Sequence, residues 1–199
     1  MSAPLFLVIE GLDGVGKSTQ ARALAELLGG NTTREPTAAA RDTISAERDP
    51  HARALLFAAD RRRHQRRLGG LLTKRGPTIC DRYTLSMLAY QSAAGCDLGW
   101  LADLDRGVRV PDLTIFLDLP VSEAAARVAK RDGSAEVQHR VLASYLSGIA
   151  LLRARGWRIE VVSALGAPAE VTARILEVLG RALLMAGTSI PVDGDAAPG

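Results

Sequence analysis

The chain has 199 residues, a formal net charge of +3, 47% hydrophobic residues and 24% charged ones, the balance of an ordinary globular protein and not of a fibre or a disordered chain. No window approaches the roughly 18 uninterrupted apolar residues that a membrane-spanning helix needs, and the N-terminal MSAPLFLVIEG lacks the basic segment and cleavage site of a secretory signal. Of the 25 basic residues only Lys17, Lys74 and Lys130 are lysines; the Arg excess suits phosphate ligands, while +3 alone makes no case for a nucleic acid polymer.

In chain order, residues 5–9 (LFLVI) form a short continuous apolar run that stops at glycines, as a buried parallel strand does. A helix is expected over 18–28, closed by Gly29-Gly30. A weak strand fits at 31–34, and stronger ones at 77–81 (PTICD), 112–118 (DLTIFLD) and 157–162 (WRIEVV). Helical stretches lie near 51–75, 84–94, 121–131, 136–154 and 168–185. Strands alternating with helices predict an α/β, three-layer fold, a parallel sheet of about five strands covered on both faces. Residues 1–186 read as a single domain, and 187–199 as a disordered tail. Cys80 and Cys96 make no CxxC pair, and His51, His64 and His139 show no metal-ligand spacing. A reducing cytoplasm and no structural metal are expected.

Residues 11–18 (GLDGVGKS) fit G-x-x-x-x-G-K-[ST], with a strand before and a helix after. Gly11, Gly14 and Gly16 let backbone N–H groups turn inward around phosphate oxygens, at the positive end of the following helix. Lys17 reaches the β/γ phosphates, the Ser18 hydroxyl can ligate Mg²⁺, and Thr19 follows inside the same turn. ATP or GTP is the expected ligand. A GTPase would need an N-K-x-D motif, yet Asn31 is the only Asn and Thr32 follows it. A small phosphotransferase of the P-loop NTPase fold remains.

Five stretches in order, FLVIEGLDGVGKST (6–19), TREP (33–36), LLFAADRRRH (55–64), DRYTLSMLAYQ (81–91) and PDLTIFLDLP (111–120), closely resemble the thymidylate kinase family of nucleoside monophosphate kinases. The resemblance implies transfer of the ATP γ-phosphoryl group to dTMP, and a homodimer. Phe57 and Arg61 are four apart and share a helix face; in the family such a Phe stacks on thymine and the Arg contacts the nucleotide. Asp81 closes an apolar strand, where a carboxylate can hold Mg²⁺ through water. The resemblance implies that Arg82 clamps the acceptor's monophosphate, that Tyr90 lies against the deoxyribose, and that Gln91 helps at the substrate. Ser86 and Tyr90 sit four and eight residues beyond Arg82, so a helix would align all three. An acid at Asp13 is unfavourable beside phosphates unless it has another partner; relatives use it on the acceptor's 3′-hydroxyl. Arg34 is expected either to face the acceptor phosphate or to pair with Glu35 or a helix end. Arg62, Arg63, Arg66 and Arg67 read as a solvated helix face.

Three features depart from the family pattern. Residues 37–41 (TAAAR) stand where many relatives have Gly-Gly-Thr, and Met87 stands where a polar residue is common. The lid near 130–140 is short and lacks the usual Asp-Arg-x-x-Glu run; the P-loop carries no Arg, and for that type the resemblance implies a transition-state cation from the stretch 127–140: Arg131 first, then Arg127 and Arg140. Two further readings stay open: a kinase for another or modified nucleoside monophosphate, and an ATP-binding module that has lost turnover. The alanine- and leucine-rich face around 52–59, with the helix near 84–94, is the expected dimer surface.

Overall fold

The computed structural model describes residues 5–128 and 135–185. Five strands, β1 (Phe6–Gly11), β2 (Asn31–Arg34), β3 (Thr78–Asp81), β4 (Leu113–Asp118) and β5 (Ile159–Ser163), pair in parallel in the order β2-β3-β1-β4-β5. Eight helices are described: α1 (Lys17–Leu27), α2 (Ala38–Ala46), α3 (Pro50–Leu71), α4 (Thr84–Ala93), α5 (Leu98–Leu104), α6 (Val121–Val128), α7 (Ala135–Ala154) and α8 (Pro168–Met185). The five strands and the long helices follow the sequence reading within a few residues. The helix expected at 121–131 is described only to Val128, and the proposed tail lies outside the described residues.

The central strand explains the layers. Every residue of β1 is buried, and its side chains alternate between faces. Leu7 and Ile9 join the larger core with Leu24, Leu88, Ile115 and Tyr145, while Phe6 and Val8 join a smaller one with Leu68, Leu72 and Tyr83 beneath α3. Burial of each such side chain contributes about 1.5–3 kcal/mol. The edge strands β2 and β5 keep exposed positions, as edges of a covered parallel sheet do.

Two helices, α2 and α5, were not expected. Both are short, and α2 buries only Ile44 fully, so little apolar periodicity marks them. At α5 the local signal is a cap: Asp97 accepts a hydrogen bond from Trp100 N at 2.7 Å. At α2 it is not local, because Asp60 of α3 accepts from the Thr37 N–H (2.8 Å) and hydroxyl (2.6 Å).

The expected dimer surface needs correcting at α4. Residues 84–89 and Gln91 are buried within this chain, where α4 packs on α7. The approach is close: a Cβ at Gly148 would lie 3.0 Å from Leu85 Cδ1. Leu55 of α3, by contrast, is 52% exposed. No helix among the described residues is long and apolar enough to cross a membrane.

The strand order reverses beside β1. Ligands of open parallel sheets bind outside the carboxyl ends of the strands at such a point. The sheet register aligns Ile9 with Asp81, and Arg34 with Asp81, so Gly11, Arg34 and Asp81 all end at one rim.

Candidate active site

The loop between β1 and α1 depends on its glycines. Gly11, Gly14 and Gly16 have φ of 139°, 86° and 97°, a region that disfavours any Cβ. A Cβ on Gly11 would also lie 2.7 Å from the Leu117 carbonyl oxygen. Lys17 Nζ folds back to donate to the Leu12 carbonyl at 2.5 Å. Burial and then the Arg82 charge pull the Lys17 ammonium down to about 7. The Ser18 hydroxyl donates to Asp81 Oδ2 at 2.5 Å, and Arg34 Nε lies 3.7 Å from the same oxygen. Of the three expected Arg34 alternatives, the Glu35 pair is not formed among the described residues; Glu35 turns into the interior, toward Arg61 and His64.

A cavity of about 370 Å³ opens above this loop, lined by Gly14, Lys17, Ser18, Thr19 and Arg127 among others. A second, of about 550 Å³, is lined by Phe57, Arg61, Ser86, Met87, Gln91 and Arg140 among others. Asp13, Arg34, Arg82 and Tyr90 line both. The boundary between the cavities is therefore built in part from two guanidinium groups, a carboxylate and a phenol.

At that boundary Arg82 has φ 69°, an uncommon conformation for a residue with a Cβ. It does not belong to α4, as the four-and-eight spacing implied. The turn before the helix still brings the three residues together. Arg82 Nη1 donates to Ser86 Oγ at 3.1 Å, its guanidinium carbon stands 5.4 Å from the Tyr90 ring centre, and Nη2 donates to Asp13. Tyr90 Oη donates to the other Asp13 oxygen at 3.0 Å, and burial pushes its hydroxyl up to about 12. Asp13 thus has the partners that its place beside phosphates demanded.

Phe57 packs half-buried against the core and lines the larger cavity. Gln91 Oε1 accepts from Arg53 Nε at 3.1 Å. Arg61 reaches the same cavity but is 1% exposed. Its Nε donates to Glu35 at 2.7 Å, its Nη1 donates to Asp105, and its guanidinium carbon stands 5.1 Å from the Tyr83 ring centre. His64 Nδ1 lies 2.8 Å from Glu35 and its Nε2 lies 2.6 Å from Thr33 Oγ1. Arg61→Met would leave two buried carboxylates without their cation, an expected loss of about 3–5 kcal/mol of stability. Urea unfolding checks this; a loss below about 1 kcal/mol would contradict the cluster's structural weight.

The lid residues divide. Arg131 lies outside the described residues. Arg127, on α6, lines the smaller cavity and pairs with Glu123 at 3.9 Å. Arg140 stands on α7 at the larger one. Arg62, Arg63, Arg66 and Arg67 are all exposed.

Sequence reading missed Glu10, Tyr145, Glu35 and Asp105. Glu10 left a signal, a charged residue inside an apolar strand next to the phosphate loop. Tyr145 left none. It donates to the Gly11 carbonyl at 3.0 Å from a position 134 residues away.

A family model described as Thymidylate kinase matches residues 9–174. The chain is similar to a probable thymidylate kinase of Thermococcus onnurineus, 40% identical over 207 residues, covering 90% of this chain and 99% of the relative. Another from Pyrobaculum aerophilum is 36% identical, covering 88% and 96%. Among solved structures, the thymidylate kinase of Candida albicans superposes with a TM-score of 0.73 at 27% identity, covering 91% of this chain and 93% of that one.

Proposed function

Because this chain belongs to the thymidylate kinase family, we propose that it transfers the γ-phosphoryl group of ATP to dTMP, giving ADP and dTDP. It is an ATP-dependent nucleoside monophosphate kinase. The observation that carries the reading is the pair of adjoining cavities with Asp13, Arg34, Arg82 and Tyr90 in the lining of both. One cavity has a loop suited to ATP phosphates, and the other has an aromatic ring, a guanidinium and an amide suited to a base.

The residues divide the labour between positioning and charge. The loop amides and Lys17 hold the donor's phosphates. Lys17 leaves the Leu12 carbonyl to do so, and phosphate oxygens favour its charged form. Arg82 holds the acceptor phosphate in line with the donor, with Arg34 beside it. Asp13 and Tyr90 take the sugar end, Asp13 accepting from the 3′-hydroxyl. Phe57, Met87, Gln91 and the fixed edge of Arg61 form the base end. Arg131, Arg127 or Arg140 covers the developing charge from the lid near 130–140.

Mg²⁺ fits this site. Asp81 Oδ1 is buried with no hydrogen-bond partner among the described residues, a cost that a cation or its water removes. Ser18 and Asp81 would hold the ion, which would supply charge neutralisation at the β and γ phosphates. The described residues contain no cluster of three or more His, Cys, Asp or Glu able to cage a metal, consistent with an ion that keeps waters and binds largely through phosphates. Excess EDTA is expected to reduce acceptor-dependent ADP release to below about 1% of its starting rate, and added Mg²⁺ to restore it. Undiminished turnover in EDTA would contradict this assignment.

We further read residues 1–186 as one domain, working as a homodimer through the outward Leu55 face of α3. The buried free cysteines Cys80 and Cys96 support a reducing, cytoplasmic setting. Light scattering in solution tests the dimer, which Leu55→Glu should dissociate. Acceptor choice is tested by ADP release with dTMP, dUMP, dCMP, UMP, dGMP and AMP. A clear dTMP preference is expected; preference for another monophosphate would redirect the assignment to Met87 and residues 37–41.

A further inference from the structure

We propose that Glu10 is a positioning residue for the acceptor-clamping Arg82, acting through Ser86 and without touching substrate. The inference rests on the role given to Arg82 above. Glu10 is 0% exposed, one residue before the phosphate loop, in a strand whose other members before Gly11 are apolar. Such a position ordinarily takes a hydrophobic side chain, and a carboxylate there needs compensation. Glu10 makes no ion pair among the described residues. Its compensation comes from the turn that carries Arg82.

The two carboxylate oxygens do separate things. Oε1 accepts from the backbone N–H groups of Tyr83 (2.8 Å) and Ser86 (3.0 Å). These are the N-cap and a first-turn amide of α4, whose cap has no side-chain hydrogen bond of its own. Glu10 thus caps a helix from a neighbouring strand, and holds the sharp turn in which Arg82 takes its positive φ. Oε2 accepts from the Ser86 hydroxyl at 2.5 Å. With its proton committed to Glu10, the Ser86 oxygen, which also lies 2.9 Å from Tyr145 Oη, turns a lone pair toward Arg82 Nη1 at 3.1 Å. The guanidinium is then held at two points, Ser86 on one nitrogen and Asp13 on the other. Burial pushes the Glu10 carboxyl above the usual carboxylate range, a rise that the Ser86 hydroxyl, the Arg82 charge and the two amides offset only in part.

A carboxylate is required because both its oxygens only accept. An amide would keep the Oε1 contacts, so the turn would stand. Its NH₂ group would donate to Ser86 Oγ, turn that hydroxyl's proton toward Tyr145 Oη 2.9 Å away, compete with Arg82 Nη1 for the oxygen's lone pairs, and remove the negative charge near Arg82. Glu10→Gln therefore separates positioning from folding.

The test is equilibrium binding of dTMP and of ATP to the full chain. Glu10→Gln is expected to weaken dTMP at least tenfold and to change ATP less than twofold. In the Arg82→Ala background the same substitution should add less than a twofold effect, since no guanidinium remains to position. An unchanged dTMP affinity, an equal loss for ATP, or a full further loss on top of Arg82→Ala would each overturn the proposal. Should Glu10→Gln fold poorly, Ser86→Ala breaks the same chain of contacts and takes the same readouts. A crystal structure of Glu10→Gln tests the geometry without reference to activity. Arg82 should leave Ser86 there, and an Arg82 still held on both Ser86 and Asp13 would overturn the proposal. Absence of dTMP binding by the wild-type chain would instead count against the acceptor assignment.

Discussion

Arg82→Ala is expected to lower kcat/KM for dTMP by about 10²–10³-fold, the cost of removing one preorganised donor group aimed at reacting phosphate. The loss should exceed that of an ordinary surface arginine because this guanidinium is already fixed before substrate arrives, by Ser86, Asp13 and the Tyr90 ring. Arg82→Lys keeps the charge but loses the two-pronged donor, and should recover only part of the activity. Arg82→Gly adds a control on the backbone. Glycine accepts φ 69° without strain, so it should be more stable than Arg82→Ala by about 1 kcal/mol while equally inactive. Steady-state kinetics with dTMP varied, alongside urea unfolding, checks both. Full activity in Arg82→Gly would place the acceptor phosphate elsewhere.

Lys17→Met should separate activity from stability. Phosphoryl transfer relies on electrostatic stabilisation, so kcat is expected to fall by about 10²–10³-fold. The unliganded fold should be no less stable than the wild type. Lys17 is 6% exposed, its ammonium is held down to about 7 chiefly by burial, and its one side-chain hydrogen bond among the described residues is to the Leu12 carbonyl. The sign follows from linkage. Between about 7 and the ordinary lysine value of 10.5 the unfolded chain binds the proton that the folded chain lacks. Folding is thus disfavoured by this group below that window, and recovers as pH rises through it. A methionine of similar length removes the penalty. Thermal melting at pH 7 should give an equal or higher Tm, and a large fall in Tm would mean that Lys17 is structural.

The substitutions at Arg82 and Lys17 depend on parts of the chain that were unequally legible. The phosphate loop was readable because its chemistry is local. Gly11, Gly14, Gly16, Lys17 and Ser18 act through backbone geometry fixed within eight residues. The strands were readable because a parallel sheet buried on both faces needs continuous apolar runs. The carboxylate contacts were not. Glu35 sits in a motif that drew attention to Arg34, yet its partners are Arg61 and His64, 26 and 29 residues on. Asp105 follows a seven-residue helix with little periodicity and meets Arg61 only through the tertiary fold. Arg82 itself was picked out, but its left-handed turn was not, since nothing in Asp81-Arg82-Tyr83 marks a positive φ as a glycine would. Glu10 is the intermediate case: its oddity is visible in the strand, and its purpose only in space.

The central claim is that the donor and acceptor cavities exchange a phosphoryl group, and ³¹P NMR of one reaction mixture tests it most directly. Wild-type chain with Mg²⁺, ATP and dTMP should consume the ATP γ signal while ADP and dTDP appear in equal amounts. Lys17→Met should leave the spectrum unchanged over the same time. Unconsumed ATP with the wild type, or inorganic phosphate in place of dTDP, would contradict the account.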